Sequence, residues 1–299
     1  MVNEIPADVT EWLRSVFAGC NARITEKLSM CPNAPEESLD LTWVEYLSHF
    51  SSPVALDSNW VVKIESHYLG GLRHFYTWEI ADIGILIFLR LGGASNRSKV
   101  ALLQSKRLYP DGQPIREEVR VDYEIGFARL ADPEDERLSI AFDAEFGFTE
   151  ESRYQALLRD SEQAQAIDAY EREVKLKVYY QLYNTWSLPY VQRVPLHGYV
   201  PPAGTPELGV RVIPSALVHA KMNASNDTSP ALRDLADLSE LPTYGWRLED
   251  FICDELLACR EGDEFASSGD DRISNLFFRR SGPIAAAIAI TIEAPGAAA

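Results

Sequence analysis

Apolar positions along the first part of the chain recur at helical spacing. Residues 8–30 place apolar side chains three or four positions apart, which is typical of an amphipathic helix. A second such pattern starts at Thr42 and stops at the breaker 51–53. We interpret Asn59–Leu69 as a third helix, which the two glycines that follow would end. Residues 1–58 are therefore expected to form an N-terminal helical part.

The pattern then changes to that of three successive strands. Arg73–Glu79 is rich in aromatic and β-prone residues. Ile83–Leu91 is almost continuously apolar, so we expect it to be buried on both faces of a sheet. After a glycine-rich turn at 92–96, Lys99–Leu108 reads as the third strand.

A helix and a further strand follow a charged insertion at 110–150. The remaining predicted elements are a helix at Glu150–Lys175, strands at Val178–Tyr183 and Gly209–Ile213, a helix at Leu248–Cys259 and a strand at Ile284–Ile292. This order predicts an α/β fold with a central mixed sheet flanked by helices. We expect a core at 59–189 and a C-terminal elaboration at 190–299 packed on it.

Composition and charge limit the classes of partner. The chain has 299 residues, with 28 basic and 45 acidic side chains and a formal net charge of −17. Such a balance argues against a broad basic face for duplex DNA, so any nucleic-acid contact must be local, metal-assisted or helped by a partner. No apolar run reaches the roughly 18 residues that span a bilayer, and the first 20 residues do not read as a signal peptide. We expect a cytoplasmic protein without a membrane partner.

Polar side chains interrupt two of the predicted strands. Gln104 and Lys106 point to the same face because side chains alternate along a strand. A hairpin through the 92–96 turn brings Asp82 beside them. A carboxylate, a carboxamide oxygen and an ammonium suit Mg²⁺ or Mn²⁺ and a phosphate. Glu65 and Glu79 are the candidates for a further metal-binding carboxylate.

An aspartate followed on the next strand by Gln-x-Lys resembles the PD-(D/E)xK nuclease superfamily. The resemblance is to the QxK variant of Mrr-like nucleases, many of which act in restriction and antiviral defence, and it covers residues 60–185. It implies a restriction-endonuclease-like core and Mg²⁺-dependent cleavage of DNA. It also implies catalytic roles for Asp82, Gln104 and Lys106, with Glu65 as the acid contributed by a helix.

Two other interpretations of the same residues stay open. The residues could form an ordinary solvated strand end, with Asp82 capping a turn. The chain could also be a catalytically inactive nuclease-fold scaffold or a recognition subunit. For phosphate contacts the best candidates are Arg97, Lys99 and Arg107, together with Lys106. Because so few cations neutralise few phosphates, we expect a protein partner or a homo-oligomer to assist DNA binding.

Overall fold

The computed structural model of the chain describes residues 5–68, 79–92, 96–112, 144–194, 200, 202–239, 241–266, 270–278 and 283–297. Its longer helices are α1 (Ala7–Met30), α2 (Glu36–Ser48), α3 (Glu162–Val174) and α4 (Ser215–Ala224). Its strands are β1 (Val54–Ala55), β2 (Val61–Tyr68), β3 (Ala81–Arg90), β4 (Arg97–Arg107), β5 (Ala144–Phe148), β6 (Val178–Tyr183), β7 (Tyr190–Val194), β8 (Arg211–Pro214), β9 (Trp246–Arg247), β10 (Asp263–Glu264) and β11 (Ile284–Glu293).

Most of these strands form one mixed sheet. Within the described residues the sheet has nine strands in the order β1-β2-β11-β3-β4-β6-β8-β9, with β10 paired to β4. The pairs β11–β3 and β4–β6 are parallel, and the other neighbours are antiparallel. β5 and β7 form a separate antiparallel pair. The predicted central mixed sheet is therefore confirmed.

Helices cover both faces of the sheet, so each face has its own apolar core. Ile83, Ile85 and Ile87 of β3 pack on the face that α1 and α2 cover. Leu86, between them, packs on the opposite face with residues of α3 and α4. This alternation explains why β3 is apolar along almost its whole length, as the sequence predicted. In the described part of the chain no helix is both long and apolar enough to span a bilayer.

The helix predicted at Asn59–Leu69 is wrong, because this segment contains β2. Val62 and Ile64 are fully buried, whereas Lys63 between them is partly exposed. That period of two is the strand period, and it turns successive side chains to opposite faces. β11 pairs with β2 along most of its length, which stabilises the strand through tertiary contacts.

Two helix starts also differ from prediction. α2 starts at Glu36 rather than Thr42, about 1.7 turns earlier. α3 starts at Glu162 rather than at Glu150. At this observed start the Ser161 side chain accepts a hydrogen bond from the Ala164 amide and caps the helix. The helix predicted at Leu248–Cys259 is shorter, with an α-helical turn at Leu248–Asp250 and a π-helical turn at Phe251–Leu256. The strand predicted at 73–79 and the insertion at 110–150 lie largely outside the described residues.

Candidate functional site

Asp82 and Gln104 meet across the β3–β4 pair. Ile83 lies opposite Leu103, so one further step of the antiparallel register puts Asp82 opposite Gln104. Gln104 Nε2 donates a hydrogen bond to Asp82 Oδ2 over 2.5 Å. The main-chain amide of Ser105 donates to the same oxygen over 2.6 Å. Two donors on one strand therefore fix the carboxylate on its neighbour.

The N-terminus of α2 closes over the same end of β4. Glu36 Oε2 lies 3.2 Å from Lys106 Nζ, and Glu36 Oε1 accepts the Arg107 amide over 3.1 Å. Lys106 is 5% exposed, so its ammonium has left most of its water. The ion pair with Glu36 compensates part of that loss. The acid that a helix contributes to this cluster is therefore Glu36.

The sequence contained a signal for this helix start. Pro35 followed by Glu36 and Glu37 is typical of a helix N-terminus, where proline fits the first turn and acids face the positive end of the helix dipole. Four positions further along the same helical face lies Asp40. Placing the start of the helix at Thr42 hid both acids.

Asp40 lies under the end of β4, on the sheet face that α1 and α2 cover. It is 6% exposed, and its Oδ1 accepts a hydrogen bond from Ser105 Oγ over 2.5 Å. The hydroxyl of Tyr183 on β6 donates to the same oxygen, and Gln181 Nε2 donates in turn to the Tyr183 hydroxyl. α2 is thus joined to the two central strands by buried hydrogen bonds.

The surroundings raise the pKa of both Asp82 and Lys106. Part of the Asp82 side chain remains accessible to solvent. Desolvation nevertheless raises its pKa to about 7. The positive charge of Lys106 and the hydrogen bond from the Ser105 amide act in the opposite direction and lower the pKa. The charges of Glu36 and Glu79 raise it further. For Lys106, burial lowers the pKa, but the charges of Glu36 and Asp82 outweigh it, and the pKa is raised overall. The cluster thus favours a proton or another cation at Asp82.

Glu65 does not join this cluster. It lies on β2 rather than on a helix, opposite Ala289 of β11. Since β11 separates β2 from β3, Glu65 is two strands away from Asp82. Its carboxylate pairs with Lys63 over 2.8 Å at the edge of the sheet. The prediction of Glu65 as a catalytic or metal-binding acid is corrected for this reason, whereas Glu79 lies close enough for its charge to affect Asp82.

The basic patch predicted from the sequence does not form a surface. Lys99 is 5% exposed, and its ammonium donates to the main-chain oxygens of Leu256, over 3.3 Å, and of Glu261. Arg107 is 9% exposed; it donates to the Pro32 carbonyl over 2.6 Å, and its guanidinium lies 3.9 Å from the centre of the Tyr109 ring. Both cations serve the fold. Arg97 begins β4, about 30 Å from the end that carries Lys106.

The residues around Asp82 fit a hydrated divalent ion but not a full protein cage. Gln104 is 2% exposed, and its Oε1 is a buried oxygen without a hydrogen-bond donor. A buried acceptor of this kind is unfavourable unless a cation or a donor reaches it. Among the described residues, no group of three or more His, Cys, Asp and Glu side chains is arranged to hold a metal. Mg²⁺ nevertheless keeps several waters and often binds through one or two carboxylates and a substrate phosphate.

Comparisons of the chain with protein-family models, with curated proteins and with solved structures found no match.

Proposed function

We propose that the protein is a Mg²⁺- or Mn²⁺-dependent endonuclease that hydrolyses phosphodiester bonds in DNA. The observation that carries the proposal is the contact between Asp82 and Gln104 at the end of two neighbouring strands, beside the ammonium of Lys106. A carboxylate, a carboxamide oxygen and a lysine on adjacent strand ends are the groups that the resemblance to QxK nucleases requires.

The order and direction of the elements support the same proposal. Apart from the short strand β1 before β2 and the strand β5 before α3, the elements α2, β2, β3, β4, α3 and β6 follow one another as helix, three strands, helix and strand. β3 and β4 are antiparallel, and β4 and β6 are parallel, as a hairpin and a helical crossover would make them. This order supports the proposed resemblance to a restriction-endonuclease-like core. The chain differs in that β11 lies between β2 and β3.

Each residue of the cluster has a role in this proposal. Asp82 and the Gln104 Oε1 atom would hold the divalent ion, with Glu79 as a further carboxylate nearby. The ion would supply Lewis-acid activation of the scissile phosphate. The Lys106 ammonium stabilises negative charge on the phosphate and orients the attacking water. Glu36 holds the ammonium at the strand end until substrate enters.

A protein of net charge −17 approaches DNA against long-range repulsion. With Lys99 and Arg107 buried, the described strands offer few cations to phosphate groups. The proposal therefore includes a protein partner or self-assembly that supplies the binding surface, as in an effector of a prokaryotic antiviral defence system.

The test is nicking of supercoiled plasmid by the purified chain with Mg²⁺, with Mn²⁺ and with excess chelator. We expect divalent-ion-dependent nicking that Asp82→Asn and Lys106→Met each reduce by at least a hundredfold. Lys63→Met is the matched control, because Lys63 also lies on a strand and pairs with a glutamate, but far from the cluster. Equal nicking by the wild-type protein and Lys106→Met would reject the proposal and indicate a contaminant.

A second candidate function is that of an inactive nuclease-fold scaffold. This candidate is favoured by the burial of the cluster, since Lys106 is 5% exposed and Gln104 is 2% exposed. The ammonium of Lys106 is also already paired with Glu36. In this conformation little of Lys106 is accessible to a phosphate. Binding of Mn²⁺ measured by calorimetry separates the two candidates, because a scaffold without the catalytic role has no need of an ion at Asp82. If the protein shows neither Mn²⁺ binding nor nicking, with or without an added partner, the scaffold remains as the function.

A further inference from the structure

A buried chain of hydrogen bonds connects the two faces of β4. On one face Asp40 accepts from the hydroxyls of Ser105 and Tyr183. The main-chain amide of the same Ser105 donates towards the other face, to Asp82 Oδ2. Ser105 is fully buried, so neither its hydroxyl nor its main-chain amide has water as an alternative partner. Ser105 therefore connects the carboxylate of Asp40 to that of Asp82 through its hydroxyl and its main-chain amide.

We propose that Asp40 is a positioning residue for Asp82, acting through Ser105, and that it acts as a hydrogen-bond acceptor rather than as a charge or a metal ligand. The inference rests on the proposed function for its catalytic consequence. Its structural content, the coupling of Asp40 to the Ser105 amide, can be measured without any cleavage.

The contacts of Asp40 support a role without charge. The hydroxyls of Ser105 and Tyr183 both donate to its Oδ1, and both groups are neutral. The pKa of Asp40 is raised well above its ordinary value, first by burial and then by the charge of Asp82. The network also contains an acceptor that lacks a donor, because Gln181 Oε1 is buried without a partner. A neutral side chain that accepts on one atom and donates on the other suits these surroundings better than a carboxylate.

Two substitutions of Asp40 should therefore behave differently. Asp40→Asn keeps an oxygen that can accept from Ser105 and Tyr183, and it removes the charge. Asp40→Ala removes the acceptor as well. Loss of a residue that orients a metal ligand typically weakens metal affinity by about 10- to 100-fold. We expect that loss for Asp40→Ala, and a change below about threefold for Asp40→Asn.

The experiment uses the full chain and two readouts. Mn²⁺ affinity is measured by calorimetry without DNA, and exchange of the Ser105 amide proton is measured by NMR with ¹⁵N-serine labelling. In Asp40→Ala the Ser105 amide should exchange at least tenfold faster than in the wild-type protein, and in Asp40→Asn at the wild-type rate. Asp57→Asn, at an exposed position, is the control for loss of an acid.

Ser105→Ala provides an independent test if Asp40→Ala does not fold. It keeps the amide and removes the hydroxyl, so it should reproduce the loss seen in Asp40→Ala. The double variant Asp40→Ala/Ser105→Ala should be no worse than either single variant, since both break the same connection.

Two results would overturn the inference. Equal damage by Asp40→Asn and Asp40→Ala would mean that the charge of Asp40 matters, as for a metal ligand. Additive losses in the double variant would mean that Asp40 and Ser105 act separately. If the wild-type protein bound Mn²⁺ but never nicked DNA, while the variants followed the expected pattern, the endonuclease proposal would fail and the positioning role would stand.

Discussion

Gln104 donates its carboxamide N–H to Asp82 on the neighbouring strand and keeps its carbonyl oxygen buried without a donor. The Asp82 carboxylate thus has hydrogen-bond donors, whereas the carbonyl oxygen of the Gln104 carboxamide has none. A small cation beside the pair would satisfy both residues at once, because it would bind the free oxygen of Gln104 and neutralise Asp82.

Changing Gln104 to glutamate should make the fold depend more strongly on a divalent ion. The second carboxylate would lie within hydrogen-bond distance of Asp82, and like charges in a desolvated site repel. We expect a lower thermal midpoint with chelator, by several degrees, and a larger rise on addition of Mn²⁺ than in the wild-type protein. Gln165→Glu, at an exposed position of α3, should show neither effect in the same thermal scans. Identical shifts in both variants would contradict a cation at Asp82.

The charge of Asp82 should lower stability above neutral pH when no metal is present. Its pKa is about 7 in the folded state, above the ordinary value of 3.8, so the folded protein holds this proton more tightly than the unfolded chain does. The stability that this provides is complete below pH 4 and is lost as the pH rises through 7. Asp82→Asn should remove that loss. Since Asp82 is partly exposed, we expect a gain of only about 1–2 kcal/mol at pH 8 and almost none at pH 4.

Chemical denaturation with chelator at both pH values measures this difference. In the control Asp57→Asn, the gain in the free energy of unfolding over the wild-type protein should not be larger at pH 8 than at pH 4. A large loss of stability in Asp82→Asn at pH 8 would instead identify Asp82 as a structural acceptor for Gln104 and the Ser105 amide.

Glu36 should stabilise the protein chiefly by pairing with Lys106. Glu36→Gln leaves a buried ammonium without its counter-charge, which typically costs about 3–5 kcal/mol for a fully buried pair and less here, since Glu36 is partly exposed. Glu37→Gln changes the adjacent exposed acid of the same helical turn and should be neutral. The double variant Glu36→Gln/Lys106→Met should recover much of the lost stability, because it removes the unpaired charge. Urea denaturation of the four proteins tests this, and a double variant weaker than Glu36→Gln would contradict it.

Lys99 and Arg107 should be dispensable for contact with nucleic acid. Their side chains are engaged with main-chain carbonyl groups inside the protein. Lys99→Met and Arg107→Met should change duplex affinity, measured by fluorescence anisotropy at low salt, by less than about twofold. Arg107→Met should still destabilise the protein by about 1–3 kcal/mol, because the Pro32 carbonyl loses a buried charged donor. A tenfold loss of affinity in a variant that keeps its fold would restore the basic patch that the sequence suggested.

The sequence predicted the site best where the strand period was unambiguous. The alternation around Gln104 and Lys106 and the apolar run of β3 were enough to place Asp82 beside Gln104, and the structure has them in contact. The local pattern of apolar residues gave the wrong secondary structure where pairing with a distant strand determined it. Residues around Glu65 read as a helix, yet they form a strand because β11 pairs with them, and no local signal announces a partner so far along the chain.

The burial of charged residues could not be predicted from the sequence either. Nothing near Lys99 indicates that the carbonyl groups which receive its ammonium come from residues 256 and 261. The acid of α2, by contrast, was within reach, since Pro35 and Glu36 carry the features of a helix start.

The place of β11 has a consequence for how the protein is made. β3 can pair with β4 soon after both leave the ribosome, because only residues 91–96 separate them along the chain. Its other edge, and the edge of β2, must wait for residues 284–293, which are synthesised long afterwards. Until then two apolar strand edges lie open to mispairing with other nascent chains. A chain truncated before Ile284 would lack the strand that joins β2 to β3, so we expect the folded sheet to appear only after translation of β11.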